Sequence, residues 1–250
     1  MEGELREDDP PEKTKALPDT TKVEIACFTP ISALRATASG ADRVEFCAGN
    51  DVGGVTPYFE VVQPSLAEAG IPINVMIRPR GGDFVYTEDE LLEMEASIGA
   101  LPLASGFVFG ILTSSLTVDE AACKRLLSLA GGRPCTFHRA FDMIPPSQMA
   151  IQLAILASLG FASVLTSGGA PTAEAGSEIL VLLVDLADNT IDIIAGGGVR
   201  SANAAAIRTT GVKWLHSSAI VDGGDDADLE EVKMLLFRAC ESQSQSQIVR

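Results

Sequence analysis

Two runs place charge just beyond short apolar segments: Arg78-Pro79-Arg80-Gly81-Gly82-Asp83-Phe84 and Thr136-Phe137-His138-Arg139-Ala140-Phe141-Asp142. The planar donor fork of an arginine matches a carboxylate or a phosphate. A solvated surface has no need of such groups beside buried strands, whereas a binding pocket does. Arg78, Arg80 and Arg139 could instead be consumed by Glu24, Glu45, Asp83 and Asp142 as internal ion pairs. The expectation is that at least one arginine stays available to an anionic ligand. The chain has only two histidines, His138 and His216, and both end an apolar segment. With Glu24 or Glu45 nearby, a histidine–carboxylate pair could exchange protons.

Glu24 lies between Val23 and Ile25, and Glu45 between Val44 and Phe46. An isolated acid in an apolar strand costs several kcal/mol unless it is paired. Two readings stand: structural partners of Arg78, Arg43 or His138, or acid/base and ligand-anchoring groups. Cys27 and Cys47 close the same two segments. Strands lie about 4.8 Å apart, so two neighbouring thiolates could share a soft ion such as Cu(I). Parity argues against this. Side chains alternate faces, so Glu45 and Cys47 share a face while Glu24 and Cys27 do not. If Glu24 points inward, Cys27 reaches a pocket only where its strand ends or twists early.

These residues need a scaffold that brings strand ends together. Strands are expected at Val23–Cys27, Arg43–Cys47, Ile73–Ile77, Gly106–Phe109, Cys135–His138, Ser163–Thr166, Ile191–Ala195 and Lys213–His216. Helices are expected at Ile31–Ser39, Phe59–Ala69, Glu88–Ile98, Val118–Ala130, Ser147–Leu159, Ala173–Ala187, Ala202–Thr209 and Leu229–Glu241. Strict alternation implies right-handed crossovers and a parallel sheet. Eight units in 250 residues point to a single α/β domain, a closed (β/α)8 TIM-type barrel over 22–241. An open doubly wound sheet is the alternative, but no GxGxxG follows the first strand. Residues 1–21 read as a disordered tail and 242–250 as a polar tail.

Barrel ligands sit at the C-terminal ends of the strands. Those ends also carry Thr166, Ser167 and Gly168, then Gly196, Gly197 and Gly198, then His216, Ser217 and Ser218. The glycine run before a helix resembles the barrel phosphate site, built from backbone N–H groups. The candidate set is therefore Glu24, Glu45 and His138 for proton transfer. Arg78, Arg80, Arg139, Asp142, Thr166, Ser167, Gly197, His216 and Ser217 are candidates for ligand binding.

The formal net charge is −16 and the sequence pI is about 4.4. Nonspecific binding to nucleic acid or an anionic membrane is disfavoured by that charge. Five cysteines, with no CxxC pair, fit neither a disulfide framework nor a zinc ribbon. With no apolar leader or spanning run, a cytoplasmic setting is expected.

Several segments together resemble the CutC copper homeostasis family. They are Glu24-Ile25-Ala26-Cys27, Gly40-Ala41-Asp42-Arg43-Val44-Glu45-Phe46-Cys47, Gly54-Val55-Thr56-Pro57, Met76 through Phe84, Thr136 through Asp142, Val164 through Gly168, and His216-Ser217-Ser218-Ala219. The resemblance runs from about Val23 to Ala219. It implies a TIM-type barrel, a cytoplasmic homo-oligomer and a role in copper handling, with copper binding attributed to the cysteines matching Cys27 and Cys47. No secure catalytic activity comes with it. The chain departs from the pattern after its eighth strand, where Asp222-Gly223-Gly224-Asp225-Asp226 is short and acidic. The leading expectation is thus cytoplasmic Cu(I) binding. The alternative is a barrel enzyme acting on a small phosphate- or carboxylate-bearing metabolite.

Overall fold

The computed structural model describes residues 20–240. The expected tails at 1–21 and 242–250 lie, apart from Thr20 and Thr21, outside the described residues. Eight parallel strands close into one barrel in chain order: β1 (Lys22–Cys27), β2 (Arg43–Phe46), β3 (Ile73–Met76), β4 (Gly106–Phe109), β5 (Cys135–Phe137), β6 (Ser163–Thr166), β7 (Asp192–Gly196) and β8 (Trp214–Ser217). Eight helices surround them: α1 (Pro30–Ser39), α2 (Phe59–Glu68), α3 (Glu88–Ala100), α4 (Glu120–Ala130), α5 (Pro146–Leu159), α6 (Ser177–Ala187), α7 (Ser201–Arg208) and α8 (Leu229–Cys240). The expected (β/α)8 barrel is the fold.

Local chemistry sets the boundaries. Thr29 caps α1 by accepting the Ser32 N–H, and Pro30 opens the helix, where its missing N–H costs nothing. Thr87 and Glu90 form a reciprocal capping box on α3. Most expected boundaries shift by one to four residues, and three of the shifts have a visible local cause. The fifth strand stops at Phe137, because His138 caps a short 3-10 helix at Arg139–Met143. The fourth helix starts at Glu120, because Asp119 caps it and Val118 bridges to Leu112. The sixth helix starts at Ser177 rather than Ala173, because the Ala173 N–H donates to the Gly197 carbonyl just beyond β7, at 2.8 Å, instead of opening a helix.

The main core lies between barrel and helices. It contains Val23, Ile25, Val44, Phe46, Phe107, Phe109 and Phe137, with helix residues such as Ala36, Met94 and Leu126. The apolar residues clustered inside the barrel are few: Cys47, Met76 and Val108, with Phe28 against them. Barrel interiors are ordinarily filled by branched apolar side chains. Here Glu24, Glu45, Asn74, Thr136 and Ser163 are buried on the strands instead. A polar interior of this kind is difficult to justify by stability alone, since each group must find a partner.

Candidate functional site

Strand register assembles the first cluster. Glu24 stands beside Arg43 on β2 and His216 on β8, and Ala26 stands beside Glu45. One Glu24 oxygen accepts from Arg43 Nε, and the other lies 2.8 Å from His216 Nδ1. His216 Nδ1 is 4.0 Å from Glu45 Oε2. Glu45 Oε1 accepts the Cys47 thiol at 3.1 Å, while Glu45 Oε2 is buried with no hydrogen-bond partner. Burial would raise the Glu24 carboxyl, but Arg43 and His216 hold it at about 2. Burial raises Glu45, and the Glu24 charge adds to this against the opposing His216. His216 is held above its ordinary value: burial disfavours its cation, but Glu45 and Glu24 outweigh that. Glu24, Glu45 and His216 bring ligand atoms within 4.8 Å of one another. Two carboxylates and an imidazole suit a hard or borderline cation better than Cu(I).

The second cluster holds Arg78 and His138, one from each charged run. Arg78 and His138 are 5% and 3% exposed. Arg78 is not consumed by an acid. Its Nη1 donates to the carbonyls of Val52, Gly53 and Gly54, and its Nη2 to that of Gly82. Among the described residues it has no carboxylate within ion-pair distance, and its Nε is buried without a partner. His138 Nδ1 accepts the Ala140 N–H at 3.2 Å, and its Nε2 is buried without a partner. Burial, aided by the Arg78 charge, lowers His138 to about 3. The histidine on the carboxylates is therefore His216, not His138.

The remaining candidates separate. Asp142 is a hub: its carboxylate accepts from Arg139 Nε, Thr166 Oγ1, and the Ser167 and Gly169 N–H groups. Arg139 also donates to Ser167 Oγ at 3.1 Å. Thr166, Ser167 and Asp142 thus fix the exits of β5 and β6, and Arg139 reaches the cavity. Gly197 has φ +103°, which strains any side chain, and a Cβ there would also crowd the Arg139 guanidinium at 3.3 Å. The glycine-run phosphate site has a competitor. Ser201 at the start of α7 donates its N–H and its hydroxyl to Glu231, each at 2.7 Å. Ser217 donates to the Val199 carbonyl and accepts from Arg200, holding the β7–α7 loop. Arg80 turns away to Asp83 and Glu90 at the rim.

The thiols part as well. Ala26 and Cys47 line the cavity. Cys27, next to Ala26, faces the barrel–helix core and donates to the Ile25 carbonyl at 3.6 Å. The alternation that turns Glu24 inward turns Cys27 outward. Burial pushes both thiols up, and the Glu45 charge adds to this.

The clusters meet in a cavity of about 170 Å³, lined by Glu45, Cys47, Arg78, His138, Arg139 and His216, with Phe28, Met76 and Phe84 as its apolar wall. A single water needs only about 10–15 Å³ of such space, so a small molecule fits. Met76, Phe84 and Ser218 also belong to the lining; they lie in the charged run, just before it or at a strand end, but no role was assigned to them. Phe28, Asn50 and Leu165 line it too and were given no role either. The acidic loop after β8 packs onto its neighbours: Asp226 accepts from Thr29 Oγ1, and Asn50 donates to Asp225.

A model of the CutC family matches residues 21–221. The chain is 39% identical over 200 residues to a copper homeostasis protein cutC homolog of Homo sapiens, covering 79% of this chain and 72% of that protein. To the homolog of the same name in Caenorhabditis elegans it is 40% identical over 217 residues, covering 85% and 86%. The crystal structure of CutC from Streptococcus agalactiae superposes with a TM-score of 0.76 at 37% identity, covering 79% of this chain and 98% of that one. A putative deoxyribose-phosphate aldolase of Coccidioides immitis, at 14% identity and TM-score 0.62, shares the fold alone. The match spans all eight strands and both charged runs, and the chain belongs to the CutC family.

Proposed function

We propose that this chain serves copper homeostasis, the role for which its curated relatives are named, and binds Cu(I) in the cytoplasm at the strand-end cavity. The observation that carries this reading is Cys47, a thiol on the cavity wall clustered with the thioether of Met76. Those are the soft donors that Cu(I) selects. A thiolate must form for the metal to bind, and Glu45 Oε1, 3.1 Å from Cys47 Sγ, is placed to take the proton. Cys27 contributes only if the end of β1 rotates. Anaerobic Cu(I) competition titrations of Cys47→Ser, Cys27→Ser and the double variant test this. Loss of the tight site in both variants that lack Cys47 is expected. A double variant that binds as wild type does sinks the reading.

A second reading, a barrel enzyme acting on a small anionic metabolite, has its own observation. Arg78 is a buried guanidinium beside the cavity with no carboxylate partner. An uncompensated buried charge is costly, and a bound anion removes that cost. Inorganic phosphate, acetate and glycolate should raise the melting temperature. No shift from any of the three counts against this reading. We also place the protein as a homo-oligomer, because Ile31 and Leu34 of α1, Tyr58 just before α2 and Phe59 at its start are exposed. Light scattering giving a monomer mass would reject that.

A further inference from the structure

The sequence casts His138 as a proton-exchanging partner of a glutamate, and its surroundings contradict that role. Among the described residues no carboxylate pairs with its ring. Nδ1 accepts a backbone N–H from Ala140, which places the ring proton on Nε2. The ring is wedged in place. Phe84 lies 4.9 Å away, centroid to centroid, and a Cβ on Gly110 would come within 2.5 Å of Nδ1. Nε2–H is therefore a donor of fixed direction, buried, unpartnered and on a cavity wall.

Arg78 repeats the pattern. Four backbone carbonyls hold its terminal nitrogens; its Nε–H is buried with no acceptor in hydrogen-bond geometry, and the buried Tyr86 hydroxyl, also without a geometric partner, lies beside the guanidinium. Its guanidinium carbon sits 4.6 Å from the same Phe84 ring, so one aromatic face anchors both donors. Buried polar groups without partners are rare in folded proteins. Two buried N–H donors packed against one aromatic ring on one cavity suit a ligand oxygen.

We propose that His138 and Arg78 form a two-donor cradle for a ligand oxygen that carries full or developing negative charge, with His138 serving as a fixed neutral donor and not as a base. The inference rests on the anionic-metabolite reading and names its ligand: a small carboxylate, or a carbonyl compound whose oxygen gains charge during reaction. A neutral imidazole keeps its N–H for such an oxygen and cannot lose it to a nearby carboxylate. The charged and titratable groups lining the cavity with His138 are Arg78, whose charge opposes its protonation, and Arg139, Glu45, Cys47 and His216, the last held by Glu24 at 2.8 Å and lying 4.0 Å from Glu45.

The test is long-range 1H–15N NMR of the two histidines, with His216→Asn for assignment and acetate, glycolate or inorganic phosphate as probe. The expected result is the Nε2–H form of His138 from pH 8 to pH 5, with that proton moving downfield on addition of a probe. His138→Phe should weaken probe binding roughly ten- to hundredfold, the loss of one hydrogen bond to a charged group. His138→Gln should restore most of it. An Nδ1–H form, or titration in that range, overturns the fixed donor. Calorimetric binding of a probe with His138 unmoved overturns the cradle while sparing the anion reading. No binding by any probe overturns both.

Discussion

Replacing Glu24 by Gln probes the energetic centre of the barrel. The carboxyl is fully buried, yet Arg43 and His216 hold its pKa at about 2 instead of the ordinary 4.5. At about 1.36 kcal/mol per pH unit, that difference corresponds to about 3 kcal/mol of folding stability at neutral pH. Breaking a buried pair from one side typically costs about 3–5 kcal/mol. The lower end fits here, because Arg43 keeps its stack over Trp214 at 4.0 Å. The expected fall in melting temperature is about 6–12 °C for a domain of this size. A depressed carboxyl stabilises above its unfolded value and stops doing so as pH falls through the folded one. Wild type should therefore lose this contribution between about pH 5 and pH 2, and Glu24→Gln should show a shallower acid dependence. Urea unfolding at pH 7 and pH 3, read from the single tryptophan, measures both quantities. Trp214 lies beneath Arg43, so the probe sits on the cluster. Equal midpoints at pH 7, or identical acid slopes, would refute the pairing argument.

Three further outcomes follow from the geometry. His216 should titrate above 6.5 by NMR; its contribution to stability is present below that value and lost as pH rises through the folded one, and Glu24→Gln should lower the titration point. Of the five cysteines, four are buried and Cys240 is exposed, so native protein should show one fast thiol towards a disulfide reagent and a Cys240→Ser variant none. Asp142→Asn replaces an acceptor of four groups with one carrying N–H donors of its own. It should cost about 2–3 kcal/mol in urea unfolding, and no loss there would show the hub to be unimportant.

Sequence alternation alone carried the barrel. Eight apolar runs, each followed by a helix-length stretch, leave a parallel sheet few ways to close, and strand ends then mark where ligands bind. Parity within β1 and β2 set only a condition, that Cys27 faces away if Glu24 points inward, because the period of two is a property of any extended chain; the structure meets that condition and turns Cys27 to the core. Boundaries at His138 and Ala173 were missed for a common reason. Each depends on a long-range or capping hydrogen bond that outweighs local propensity.

Partnership was decided by tertiary structure. Glu24 could have met Arg78, Arg43 or His138 as far as its neighbours in sequence show. The register between β1, β2 and β8 gave it Arg43 and His216. The same closure set Arg80 against Glu90 and left Arg78 among backbone carbonyls, though the two arginines are only two residues apart. Sequence determines which side chains arrive at the barrel mouth, because composition and alternation are local. Which of them neutralise one another, and which remain for a ligand, depends on distances that exist only once the eighth strand pairs with the first.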